Sequence, residues 1–173
     1  MKHSFYCKKI GALSDELIKL LHDFCLTTSY HWKKGDDFSS NLINCSPLPN
    51  HLLNLYFVEI SKYFQPSGHC GTNIARMHPK SYLREHSDLN TVRGGDLSRF
   101  FKTIKIQIPI ITNDQVFTMW TETIDKFHVE HFVTGGIYIF DNIVKHCVVN
   151  GSDVYRYNII SRFKDSSIKE GIL

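Results

Sequence analysis

No C-x-x-C pair occurs in this chain. Its five cysteines, Cys7, Cys25, Cys45, Cys70 and Cys147, are odd in number and irregularly spaced, which argues against a disulfide framework and against a zinc knuckle. Reduced thiols are the expectation. Long apolar runs are also missing: no stretch reaches membrane-spanning length, and the opening MKHSFYCKKIGALSDE has no continuous apolar segment of the signal-peptide kind. A soluble, cytoplasmic protein with no membrane partner is expected. There is no run of five or more like charges, and 20 Lys and Arg stand against 17 Asp and Glu for a net charge of +3. No nucleic-acid partner is expected from so even a distribution, whereas a small anionic ligand is compatible with it. Repeats, low-complexity tracts and linkers are absent too, so residues 1–173 are expected to form a single domain, long enough to bury a core without staples.

Hydrophobic residues make up 42% of the chain, with 12 Phe and 8 Tyr available as large core side chains. Within SDELIKLLHDFC, Leu17, Leu20, Leu21 and Phe24 fall at the i, i+3, i+4, i+7 spacing of an amphipathic helix, with Ser14 as its N-cap. The segment LPNHLLNLYFVEISKYF predicts a second helix, with Asn50 as its cap and Pro66 after its end. Beyond Gly68 the chain turns to short segments rich in Ile, Val, Tyr, Phe and Thr, separated by Gly, Asn and Asp. In TIKIQIPI, Ile104, Ile106, Ile108 and Ile110 are placed on one face of a strand and Lys105 and Gln107 on the other. The expected architecture is mainly β, an antiparallel sandwich or barrel over residues 68–165, with a helical N-terminal part over residues 1–67 packed outside.

Against that framework the stretch REHSDLN stands out. His86 and Asp88 are one residue apart, so both side chains can face the same way at the end of a strand. Two neutral imidazoles and one carboxylate on one side of an iron(II) ion leave positions open for a co-substrate and O2. A third ligand must come from another strand: His146, in GGIYIFDNIVKHCVVN, or else His128 or His131, in KFHVEH. Ten residues after His146, Arg156 lies on the apolar strand DVYRYNIISRF. A buried guanidinium requires an anion, which is either an ordinary Asp or Glu or the far carboxylate of a small dicarboxylic acid.

Three segments in order, MHPKSYLREHSD, KIQIPIITNDQVF and GGIYIFDNIVKHCVVNGSDVYRYNII, resemble the aspartyl/asparaginyl β-hydroxylase family of iron(II) and 2-oxoglutarate dependent oxygenases, in particular its bacterial amino-acid and proline hydroxylase relatives. The resemblance runs from Ile74 to Phe163, about half the chain. It implies a double-stranded β-helix of the jelly-roll or cupin-like kind, with His86, Asp88 and His146 as the facial triad and Arg156 holding the C5 carboxylate of 2-oxoglutarate. It also implies Fe(II), 2-oxoglutarate and O2 as the cofactor and co-substrates. Animal members of the family lack the carboxylate ligand, so Asp88 makes this chain resemble the bacterial members; related iron enzymes that halogenate have a small residue there, so the resemblance with Asp88 present implies hydroxylation as the default outcome.

Some positions depart from the family pattern. Where the animal enzymes have Arg-x-His, this chain has Lys105-Ile106-Gln107, which makes Lys105 and Gln107 the expected co-substrate contacts, and Ala75 stands where some relatives have a serine. Asn150, in the H-x-x-x-N pattern of the bacterial relatives, is either a turn residue or a supporting co-substrate contact. The interval after His86 is longer than in the animal enzymes; its LNTVRGGDLSRFF holds Arg93 and Arg99 beside a Gly-Gly pair, a basic loop suited to an anionic substrate. Trp120 is either a pocket-lining or a core aromatic. The expected activity is hydroxylation of a free amino acid or small amino-acid-like metabolite, with 2-oxoglutarate decarboxylated to succinate. The alternatives are hydroxylation of a peptidyl Asp, Asn or Pro side chain, a metalloenzyme that does not use 2-oxoglutarate, and a non-catalytic metal-binding β-sandwich.

Overall fold

In a computed structural model, the structure describes residues 6–27, 33–34, 43–88, 103–123 and 125–172. The elements in chain order are β1 (Cys7–Ala12), α1 (Asp15–Thr27), β2 (Lys33–Lys34), β3 (Ile43–Pro47), α2 (Asn50–Ile60), β4 (His69–Met77), β5 (Ser81–His86), β6 (Thr103–Ile111), β7 (Val116–Thr123), β8 (Lys126–Glu130), β9 (Gly136–Phe140), β10 (His146–Asn150) and β11 (Arg156–Lys164). They form a seven-stranded sheet, ordered β1-β9-β6-β11-β4-β3-β2, and a four-stranded sheet, ordered β5-β10-β7-β8. Strand pairing is antiparallel throughout. This is the expected mainly β jelly roll with two helices outside it.

The larger sheet has an apolar outer face and a mixed inner one that carries its polar side chains, and the period of β6 decides which is which. Ile104, Ile106, Ile108 and Ile110 are all buried in the main core, together with Ile74, Ile159 and Phe163 from the neighbouring strands. Onto them α1 lays Leu17, Leu21 and Cys25, and α2 lays Leu52, Tyr56 and Ile60. Burying side chains of this size contributes about 1.5–3 kcal/mol each, which holds the helices on that side and turns Lys105 and Gln107 toward the smaller sheet. The Tyr56 hydroxyl, deep in the core, donates to Ser161 Oγ at 2.7 Å, so its one polar atom is satisfied.

Two local expectations are corrected. Asn50 is the first residue of α2; the cap position is Pro49, which has no side-chain hydrogen bond to offer and instead presets an extended entry to the helix. Ser14 does cap α1: its Oγ accepts from the Leu17 amide at 3.3 Å, and Glu59 of α2 accepts from the Ser14 amide at 2.7 Å, joining the two helices. The N-terminal part is also not purely helical. β1 pairs with β9 at one edge of the larger sheet and β3 with β4 toward the other. Short polar segments such as CKKIGA and INCSP have no readable periodicity of their own and become strands because an exposed sheet edge offers them hydrogen-bond partners.

Candidate metal centre

β5 ends at His86, and the two residues that follow are stitched to the turn between β9 and β10. The Ser87 hydroxyl donates to the Ile143 carbonyl at 2.7 Å and the Asp88 amide to the Asn142 carbonyl at 2.9 Å. That turn is rigid because Asp141 Oδ1 accepts from the amides of Ile143 and Val144 at 2.9 and 3.3 Å, an aspartate capping its own backbone. β10 begins directly afterwards and pairs His146 with His86. Local hydrogen bonding thus brings together three side chains that are up to 60 positions apart in the chain. The ligand atoms of His86, Asp88 and His146 all lie within 4.8 Å of one another.

Both imidazoles are set to present Nε2. His86 Nδ1 lies 2.7 Å from the Arg84 carbonyl and His146 Nδ1 lies 2.9 Å from the Val144 carbonyl. A carbonyl only accepts, so Nδ1 carries a proton in each ring and Nε2 is the atom left to face a metal. Burial, reinforced by the charge of Lys105, pushes the pKa of His146 down to about 4, so this ring is neutral at pH 7. Burial alone would raise the pKa of Asp88. The charge of Lys105 and hydrogen bonds from Asn142 and Lys105 outweigh burial and hold this carboxyl well below the usual carboxylate range. Oδ2 of Asp88 accepts from Lys105 Nζ at 3.0 Å, Asn142 Nδ2 at 3.0 Å and Arg162 Nη2 at 3.1 Å, while Oδ1 faces His86 Nε2 at 3.7 Å. Neutral imidazole and anionic carboxylate are the protonation states a divalent metal requires. The donor set fits iron(II) with open positions.

Two of the three ligands, His86 and His146, line a cavity between the sheets with about 460 Å³ of space, part of it open to solvent. Its walls are the apolar side chains of Ala75, Met77, Leu83, Val148 and Ile160, and its polar lining comes from Lys105, Gln107, Arg156 and Asn158 besides the two histidines. Arg156 is only 6% exposed. Its Nε is buried without a hydrogen-bond partner, and burial alone, with no compensating carboxylate among the described residues, pulls its pKa down to about 10. Of the two anions open to it on sequence grounds, the Asp or Glu partner is therefore not supplied by the described part of the chain. Beside it, Asn158 Nδ2 donates to Gln107 Oε1 at 2.8 Å, which leaves the Gln107 NH2 as a donor for the cavity.

Several sequence expectations take a different place. Lys105 lines the cavity, but its ammonium is committed to Asp88. Asn150 is fully buried and bonded away from the cavity: its NH2 donates to the His78 and Val154 carbonyls, each at 2.9 Å, and its Oδ1 accepts from the Ser152 hydroxyl at 2.7 Å. It is a backbone latch, because only a short primary amide can satisfy carbonyls and a hydroxyl together in that turn. Asn150→Leu is expected to destabilise the fold by about 2–3 kcal/mol through the carbonyls left unpaired, with unchanged affinity for a cavity ligand; thermal melts and ligand titration of the variant check this. Trp120 is 0% exposed, packs 4.9 Å from Phe140 and donates Nε1–H to the Asp141 carbonyl at 2.9 Å. It belongs to the aromatic wall behind His146 and not to the cavity lining. Arg93 and Arg99 lie outside the described residues. His131 Nδ1 is held by the Val116 carbonyl at 3.1 Å, and His128 stands on edge strand β8, away from His86 and Asp88.

Asn142, Arg162 and Asn158 were not singled out from the sequence. For Arg162 and Asn158 a signal existed: Arg156, Asn158, Ile160 and Arg162 are alternate residues of one strand, so a cavity-facing Arg156 puts all four on its side. Asn142 carried none, since its partner Asp88 is 54 residues away.

No protein-family model matches the chain, and no curated protein matches it in sequence. Solved structures do share its fold. A prolyl hydroxylase from Trichoplax adhaerens, in complex with a hypoxia inducible factor oxygen degradation domain peptide fragment, superposes with a TM-score of 0.69 at 13% identity, over 94% of this chain and 85% of that one. A Pseudomonas putida prolyl-4-hydroxylase gives 0.65 at 11% identity, over 93% and 94%. An oxidoreductase of the 2OG-Fe(II) oxygenase family from Burkholderia pseudomallei gives 0.59 at 13%, over 87% and 79%. A further match, EvdMO1, is a longer protein of which this chain spans 47%. At such identities the likeness establishes the double-stranded β-helix fold, and function has to be argued from the site itself.

Proposed function

We propose that this chain is an iron(II) and 2-oxoglutarate dependent oxygenase that hydroxylates an unactivated C–H bond of a free amino acid or a similar small metabolite. One observation carries the reading: His86 and His146, grouped with Asp88 at metal-ligand reach, line a cavity whose lining also includes a buried arginine with no carboxylate partner among the described residues. A dicarboxylic 2-oxo acid meets both, with one end at the metal and the far carboxylate on the guanidinium. Bound iron(II), 2-oxoglutarate and O2 supply the oxidation, in which the co-substrate leaves as succinate and CO2 and the substrate C–H becomes C–OH.

The protein's share is placement. In this reading His86, Asp88 and His146 hold the metal, and Lys105, Asn142 and Arg162 fix one Asp88 oxygen so that the other faces the ion. Arg156 orients the co-substrate and the Gln107 NH2 donates to it. Phe140, 4.9 Å edge-on from the His146 ring, backs the site with apolar surface that keeps water out. Arg93 and Arg99 are assigned to a substrate carboxylate. The finer affiliation with the aspartyl/asparaginyl β-hydroxylase-like branch rests on the resemblance of the three segments. A peptide side chain is the second substrate class, favoured by the fold shared with a prolyl hydroxylase held with a peptide fragment.

The test is an anaerobic titration with iron(II) and then 2-oxoglutarate, read by the visible charge-transfer band of the chelate and followed by succinate release on admitting air. The expected result is a band that disappears in His86→Ala. Iron binding without a band would leave a metalloenzyme of other chemistry, and no iron binding would leave the non-catalytic sandwich.

A further inference from the structure

A second group of metal-ligating side chains lies outside the cavity. Cys7, the first residue of β1, meets His128 and Glu130 of β8, and one ligand atom from each lies within 4.8 Å of the others. His128 and Glu130 are two apart on one strand, so their side chains share a face, and His128 Nε2 lies 3.5 Å from Glu130 Oε2. The His128 ring is held in place by Tyr6, stacked on it at 5.3 Å with planes 22° apart. β1 is the outer strand of the seven-stranded sheet and β8 the outer strand of the four-stranded sheet, and they are not hydrogen-bonded to each other. The group therefore spans one open end of the sandwich. Between it and the triad stands the aromatic wall: Trp120 is 5.8 Å from His128, Phe140 is 4.9 Å from Trp120, and His146 lies 4.9 Å beyond Phe140.

We propose that Cys7, His128 and Glu130 form a second metal site, for a borderline-soft divalent ion of the zinc class, that clasps the two sheets together. Sulfur, imidazole nitrogen and carboxylate oxygen are the donors zinc takes, at about 2.0–2.3 Å, with a fourth position left to water. The thiolate separates this site from the triad, whose nitrogen and oxygen donors suit iron(II). Half-buried against the aromatic cluster and facing Glu130, the Cys7 thiol has its pKa pushed up to about 12, by burial first and by the Glu130 charge second. Without a cation it is thus protonated at pH 7. Binding replaces the S–H bond by a metal–sulfur bond and releases one proton to solvent for each ion bound. The clasp acts on the fold and does not depend on the oxygenase reading.

The experiment titrates the purified, reduced protein with cobalt(II) as a spectroscopic stand-in and then with zinc. The expected result is an intense near-ultraviolet sulfur-to-cobalt band that saturates within two equivalents, one for this site and one for the triad, is bleached by zinc, is abolished in Cys7→Ser and needs at least tenfold more cobalt in His128→Gln or Glu130→Gln. The triad has no sulfur and cannot produce this band, so failure of the oxygenase reading leaves the result intact. Zinc is also expected to raise the melting temperature of the wild type by more than that of Cys7→Ser, in which only the triad is left to bind it. Cobalt bound with no such band, or a band of full strength in Cys7→Ser, overturns the proposal.

Discussion

Replacing Arg156 by methionine is expected to weaken 2-oxoglutarate binding by about 30-fold or more while leaving the melting temperature of the ligand-free protein unchanged or higher. The two effects have opposite signs for one reason. A buried guanidinium with no counter-charge among the described residues has lost hydration without an ion pair in return, so an unbranched apolar side chain of similar length relieves the ligand-free fold. Once a carboxylate arrives, the same guanidinium makes a charge-assisted, two-pronged contact whose removal costs about 2–5 kcal/mol, and about 1.4 kcal/mol is a factor of ten in affinity. Calorimetric titration and a thermal melt of the same two samples measure both. A lower melting temperature with undiminished affinity would make Arg156 an ordinary structural residue and remove the main support for the co-substrate.

Asp88→Ala is expected to act mainly on stability. The carboxylate is the counter-charge of Lys105, whose side chain is 10% exposed, and it also receives Arg162, which is 38% exposed. Arg162 can turn to solvent when its partner is removed, but Lys105 is packed 5.1 Å over the Phe140 ring and has little room to follow. Stranding a buried cation costs roughly 3–5 kcal/mol, which for a domain of this size lowers the melting temperature by about 6–20 °C. Adding Lys105→Met to Asp88→Ala removes the stranded charge and is expected to restore much of the loss, whereas metal binding stays lost in both variants. Unchanged melting in Asp88→Ala would mean that the carboxylate is not neutralising Lys105. His86→Ala, which strands no charge, is the control: it loses metal and keeps its stability.

The helices, the β6 strand and the relation of His86, Asp88, His146 and Arg156 were legible in the chain because each is a local pattern: a 3.6-residue apolar stripe, a two-residue alternation, an H-x-D pair, and a spacing that resembles a known family's. The edge strand β1 and the next-to-edge strand β3 were not legible, since a short polar segment becomes a strand only where the rim of a sheet is waiting for it. The same holds for what surrounds the metal ligands. Nothing local distinguishes Asn142, whose amide reaches Asp88, from Asn150, whose amide is consumed by backbone carbonyls. Nor does anything local place Trp120 behind His146 or bring Cys7 to His128.

What the sequence determined by itself is which faces are apolar, and with them an antiparallel sandwich or barrel and the residue types of the candidate ligands; the jelly-roll topology was implied only by the family resemblance. Only the tertiary structure decided which polar side chains meet. Burial follows from the period of a single strand, whereas a contact between strands depends on their register and sheet order, and these are set jointly by every pair in the two sheets.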